Sequence, residues 1–207
     1  MSTVEKLDLK RVLKEFYSPP AKKMMLVDVP EFTFLTQTGM GDPNSATAFG
    51  NAVSALYTLA YTLKFMLKAE GKTQDFTVMP LEAIWWVDGG TLSPETRSEW
   101  QWRAQILQPD FVTEELLEEA RKSARAKKPE VAVDSVQLLR EAEGICAQAL
   151  HIGSYAEEKS TIEQMVAFAA QQGYVPAGRH HEIYMSDPAR TAPAKLRTVL
   201  RQPVRKV

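Results

Sequence analysis

The sequence predicts an α+β fold: two tandem strand-helix-strand-strand modules forming a pseudo-twofold antiparallel sheet, with helices on one face and a ligand groove on the other. Three observations predict it. Phe49, Val53, Leu56, Ala60, Leu63 and Leu67 recur at alternating spacings of four and three, the apolar stripe of a long helix. The elements read strand, helix, strand, strand in both halves of the chain. The halves also agree in detail. Their first strands close on Gly39 and Gly153, and their third strands end "ILQP" (106–109) and "LRQP" (200–203). Placing Glu82 opposite Glu182 needs only length changes in helices and loops, where insertions are tolerated. One such unit is too small to bury its sheet alone, and a groove between two units suits a ligand. The expected layout is one domain of 207 residues: a helical extension at 5–17, a first module at about 24–110, a linker helix at about 113–128, and a second module at about 144–204.

Taken in order, Leu9, Val12, Leu13 and Phe16 fall near one face of a short helix that "SPP" then breaks. "MMLVDVPEFTFLTQTG" reads as a strand. Asp42, followed by Pro43, suits the N-cap of the long helix, which stops near Gly71. "TVMPLEAIWWV" and "EWQWRAQIL" are strands around the turn-rich "DGGTLSPETRS". The linker helix carries Glu114 and Glu115 in its first turn and basic residues at its end, as the helix dipole favours. "SVQLLRE" reads equally as strand or helix. "GICAQALHIG" is a strand. "AEEKSTIEQMVAFAAQQG" is a helix with Ile162, Met165, Val166 and Ala169 on one face and Gly173 past its end. "HHEIYM" and "KLRTVLRQPV" are strands. In the last of these Lys195, Arg197 and Arg201 share a face, which should lie outside.

Composition narrows the function. The 44% apolar and 25% charged fractions fit a globular protein, and 25 basic against 26 acidic residues leave no field for nucleic acid or a membrane surface. The run "RKSARAKK" reads as a solvated helix end without stacking aromatics. No segment approaches a membrane span or a signal peptide, so a cytoplasmic setting is expected. One cysteine, Cys146, allows no internal disulfide and suits a buried small hydrophobe. His151, His180 and His181 have no zinc spacing, so no metal is expected; one should be a core or supporting histidine and one exposed. No cofactor is implied.

The chemistry-bearing residues cluster on the strands. In "HHEIYM", His180, Glu182 and Tyr184 point one way and His181, Ile183 and Met185 the other. Glu182 reads as a partly buried acid of raised pKa that orients water or balances a ligand's charge, or as a surface partner of Arg179 or Arg197. Glu82 has the same two readings, and the repeat suggests that both acids face alike. Trp85 and Trp86 point to opposite faces; one packs under the helices, and the other, with Trp102, offers a stacking wall to a planar or cationic ligand. Tyr57 lies just off the apolar stripe and either bounds the core or reaches the groove. Tyr155, after the Gly153 turn, either donates to a substrate oxygen or caps the fold.

The blocks "LVDVP", "GMGDPN", "LYTLAYTLK", "PLEAIWW", "WQWRAQILQPDFVT", "CAQALHIGSY" and "HHEIYMSDPARTAPAKLRTVLRQPV" resemble the stand-alone GyrI-like small-molecule-binding proteins from about Lys6 to Val204. The resemblance implies the tandem modules around a ligand groove, which serve elsewhere as the effector-binding half of transcription regulators. Roughly 30 residues precede the first module here, too few for a three-helix DNA reader. The stand-alone branch resembles hydrolases that open the cyclopropane of DNA-alkylating cyclopropanoid drugs, with a glutamate and aromatic residues as the active parts. Ala83 stands where glycine is expected. The resemblance leaves three readings: a cyclopropanoid hydrolase, a non-catalytic binder or sensor of hydrophobic or cationic drugs, and a protein partner that modulates an enzyme such as gyrase.

Overall fold

The structure is a computed structural model and describes residues 6–21, 23–69, 75–90 and 92–207. Along the chain run α1 (Leu9–Val12), α2 (Lys14–Tyr17), β1 (Met25–Met40), α3 (Thr47–Ala69), β2 (Leu81–Trp86), β3 (Gln101–Gln108), α4 (Glu114–Lys127), β4 (Gln137–Ile152), α5 (Glu158–Gln171), β5 (Tyr174–Pro176), β6 (His180–Tyr184) and β7 (Arg197–Lys206). It is a mixed helix and strand protein with antiparallel pairing. The stretch "SVQLLRE" resolves as strand, because β4 begins at Gln137. Short β5 was not expected. Asp42 caps a turn rather than the helix: its carboxylate accepts from the Asn44 amide at 2.9 Å, and α3 starts at Thr47. The expected stop at Gly71 lies outside the described residues.

Two compact units emerge, and they do not coincide with the chain halves. Unit one takes Met1–Val12, Phe32–Met79 and Trp86–Glu141; unit two takes Leu13–Glu31, Pro80–Trp85 and Ala142–Val207. In unit one β1 and β3 pair antiparallel from Thr33↔Gln108 to Met40↔Gln101. Helix α3 buries Ala52, Leu56, Leu59, Leu63 and Leu67 and packs on β3 and α4. Thr113 caps α4 by accepting from the Leu116 amide at 3.4 Å. Trp102 is core, not groove wall. It is buried, and its ring meets Phe49 of α3 edge-on at 5.1 Å. Its other side covers its cross-strand partner Gly39, where a Cβ would fall 2.2 Å from Cζ2.

In unit two β6 pairs β2 and β7, and β7 also pairs β4 and β5, all antiparallel. Opposite residues in such pairs face the same way. One face carries Ala147, Ala149, Leu200 and Val204, on which α5 sets Met165 and Ala169. Glu182 stands opposite Leu200, so it shares the face that α5 covers. The groove was expected on the helix-free face, and the register places its leading acid on the other one. Glu82 pairs with Ile183 and Ala83 with Glu182, so the two glutamates point to opposite faces and do not face alike. The long-range register decides this, and the internal repeat carried no information on it. Arg201 also departs from expectation: it is 1% exposed, because β7 buries both faces from Thr198 to Arg201. In the amino-terminal segment only Phe16 and Tyr17 are buried in the two short helices, and Val12 is exposed.

The crowding at Gly39 yields a stability test. Gly39→Ala forces Trp102 off its seat, and overpacking of this kind costs about 1–3 kcal/mol. Urea unfolding should show that loss, and Phe49→Ala in the same background should relieve part of it.

Candidate functional site

Strand β6 has five residues, and its alternation builds the site. His180, Glu182 and Tyr184 lie on one face, joined by Trp85, the partner of His180 across β2. Tyr184 Oη donates to Glu182 Oε2 at 2.7 Å, and Trp85 Nε1 donates to Tyr184 Oη at 3.3 Å. His180 Nε2 lies 3.4 Å from Glu182 Oε1, a long contact rather than a well-formed hydrogen bond. The Glu182 side chain keeps 16% exposure, so solvent or a ligand reaches it. Burial pushes its pKa up, but His180 and the Tyr184 and Trp85 donors outweigh that, and the net shift is down. A raised pKa was expected here; the hydrogen-bond donors around the carboxylate reverse it.

The turn before α5 brings in two further groups. Gly153 takes a positive φ of 149°, and His151 ties this turn to the helix: Nε2 donates to Ser154 O at 3.1 Å, and Nδ1 meets Thr161 Oγ1 at 2.9 Å. Glu157 closes a capping box by accepting from Ser154 N at 2.9 Å and Ser154 Oγ at 2.7 Å. This fixes Tyr155, whose ring stands edge-on to Tyr184 at 5.7 Å, and aims Glu158 inward. Burial raises the Tyr155 pKa, helped by Glu158, Glu182 and Asp187, so its hydroxyl remains a donor. The site therefore offers an ionised carboxylate, a free phenol and three aromatic rings. Among the described residues no cluster is placed to hold a metal ion. Cys146 is buried and its thiol is pushed by burial up to about 12, consistent with a packing role.

The GyrI-like small molecule binding domain matches residues 22–205. The chain belongs to the GyrI-like family. It is similar to an uncharacterised conserved protein from Listeria innocua, at 41% identity and a TM-score of 0.91, covering 97% of this chain and 100% of that one. It is also similar to a hydrolase encoded by lin2189 from Listeria innocua, at 40% identity and a TM-score of 0.89, with the same coverage of 97% and 100%. The EcmrR C-terminal domain shares the fold at 11% identity and a TM-score of 0.55, over 89% of this chain and 98% of that one. No curated protein matches.

In this GyrI-like protein the structure brings together Glu182, Tyr184, Trp85, His180 and Tyr155 of the residues singled out from sequence. Tyr57, Trp86 and Trp102 belong to unit one, where Tyr57 leans on Tyr61 with ring centroids 6.2 Å apart. Trp85 is the member of its pair on the Glu182 face. Glu82 is wholly buried on the opposite face. Glu158 and Thr198 were missed. Glu158 reads in sequence as an ordinary first-turn acid, and only the fold turns it inward. None of the histidines is exposed, contrary to expectation.

The opposite face of β6 holds a buried ion network. His181 Nε2 meets Glu82 Oε2 at 2.9 Å, and its Nδ1 meets Glu143 Oε1 at 2.9 Å. Tyr17 Oη donates to Glu82 Oε1 at 2.6 Å. Arg201 donates to Glu143 at 2.7 Å, Gln148 at 3.0 Å and the Phe16 carbonyl at 3.0 Å. Burial disfavours both charges, but the mutual pairing wins: His181 is pushed up to about 9, and Glu143 is drawn down to about 2 by His181 and Arg201. His181 thus holds its proton more tightly folded than unfolded. Its contribution is complete below about 6.5 and fades as pH rises through about 9. Glu143 runs the other way, complete above about 4.5 and fading as pH falls through about 2. Denaturant unfolding should therefore show stability declining between pH 6.5 and about 9. His181→Gln should cost about 3–5 kcal/mol at pH 6 by leaving buried carboxylates unpaired, and should flatten that alkaline decline.

Proposed function

We propose that this GyrI-like protein binds flat, electrophilic small molecules on the Glu182 face of unit two and hydrolyses a strained ring in them, with cyclopropanoid compounds as the substrate class. The observation that carries this reading is a partly exposed, ionised carboxylate bounded by the rings of Trp85, Tyr155 and Tyr184. The similarity to a Listeria innocua hydrolase at 40% identity supports hydrolysis as the reaction type. Aromatic walls hold a conjugated ligand flat. Water attacks the cyclopropane methylene, and Glu182 takes one of its protons. The strained carbon–carbon bond breaks, and its electron pair passes through the conjugated system to the carbonyl oxygen. Tyr155, 42% exposed and protonated, donates a hydrogen bond to that oxygen. General-base help of this kind is worth about a hundred- to ten-thousand-fold in rate. A substrate of this class would make the protein a detoxifying enzyme.

A second reading draws on the same carboxylate: an anion among ring faces also suits a hydrophobic cation held without turnover. One experiment separates the two. Purified protein incubated with a cyclopropanoid compound should bleach the conjugated chromophore over many turnovers, and Glu182→Gln should slow this by about a hundredfold or more. Stoichiometric quenching of tryptophan fluorescence without product supports the binder. Wild-type turnover in Glu182→Gln overturns the mechanism.

A further inference from the structure

Glu158 opens α5, where an anion is normally welcome at the helix N-terminus. Here it is 5% exposed, and its Oε1 has no hydrogen-bond partner among the described residues. Two more buried polar atoms of unit two lack a well-formed hydrogen bond: Thr198 Oγ1, which lies against the Glu158 carboxyl, and His180 Nε2, 3.4 Å from Glu182. Thr198 is the cross-strand partner of Tyr184, and His180 flanks Glu182, so all three surround one carboxylate. A buried polar atom left unpaired costs about 1–3 kcal/mol, so these groups call for a polar atom of water or of a ligand beside them. The groups facing Glu158 are Glu182 and Tyr184 on β6, Thr198 on β7, and Tyr155 in the preceding turn. Burial first, and the Glu182 charge second, push Glu158 up to about 9 against the helix dipole. Two carboxyls in one site with one proton between them form an acid and a base.

We propose that Glu158 is the second acid–base residue of this site, delivering a proton to the substrate oxygen that receives the electron pair of the broken ring bond. This rests on the hydrolase reading above. The step balances without a further reagent. Water gives its hydroxyl to the methylene carbon and a proton to Glu182, while Glu158 gives its proton to the oxygen. The product leaves with both parts of water added, Glu182 protonated and Glu158 ionised. Transfer of that proton between the two carboxyls restores the starting state. Tyr155 orients the oxygen by its hydrogen bond, and Glu158 neutralises it.

The test uses the full chain and Glu158→Gln, which keeps the shape and an N–H donor but has no transferable proton. Single-turnover rates with a cyclopropanoid compound should fall about a hundred- to ten-thousand-fold, while ligand affinity from tryptophan quenching stays near wild type. The wild-type rate should decline as pH rises through about 9, and the variant should lack that limb. Infrared difference spectra of ligand-free wild-type protein at neutral pH should show a protonated carboxyl band that Glu158→Gln removes. That measurement on wild type stands even if the variant folds poorly, and absence of the band overturns the proposal. A wild-type protein that turns over, with Glu158→Gln keeping both rate and alkaline limb, overturns the role of Glu158 alone. A wild-type protein inert to cyclopropanoid compounds overturns the hydrolase reading and this role together.

Discussion

The imidazole of His181, clasped between Glu82 and Glu143, is the interaction on which unit two depends. Register in a sheet is binary, since a shift of one residue turns every side chain to the other face. Slipping β6 by one position would carry Glu182 inward together with His180 and Tyr184 and take His181 from its place between Glu82 and Glu143. Three carboxylates would then share the interior with Arg201 and a histidine no longer seated between Glu82 and Glu143. An uncompensated buried charge costs several kcal/mol, more than a short strand gains by pairing. The ion network therefore acts less as glue than as a key: it admits one register, and that register points Glu182 at the aromatic rings.

The two faces of this strand treat charge in opposite ways. On one side Glu82 and Glu143 are held in direct contact by His181, and Arg201 adds a second cation on Glu143. On the other side Glu182 and Glu158 share neutral donors and a histidine 3.4 Å from Glu182. A satisfied cluster is structural; an unsatisfied one keeps capacity for a reaction or a guest. The same five residues supply both because strand geometry separates neighbours by a half turn.

Local pattern revealed the strands, the long helix and the family, because each depends on residues close in sequence. The alternation of "HHEIYM" likewise separated His180, Glu182 and Tyr184 from His181 before any coordinates. What escaped depends on distant partners. Arg201 reads as an outward basic residue beside Arg197 until Glu143, 58 positions away, is placed against it. Trp102 reads as a ligand wall until Gly39 and Phe49 are packed against it. Glu158 carries no sign of its burial, since acids at helix starts are ordinary. The shared face expected for Glu82 and Glu182 came from matching two halves of the chain, whereas the actual register is set by β2 pairing with β6.

The backbone carbonyl of Phe16 and the phenol of Tyr17 complete the shells of Arg201 and Glu82. These few residues thus work as a cork. A protease nick or an over-trimmed clone that removed them would wet the ions beneath. The loss would be felt at β6 and, through it, at Glu182 on the strand's opposite face.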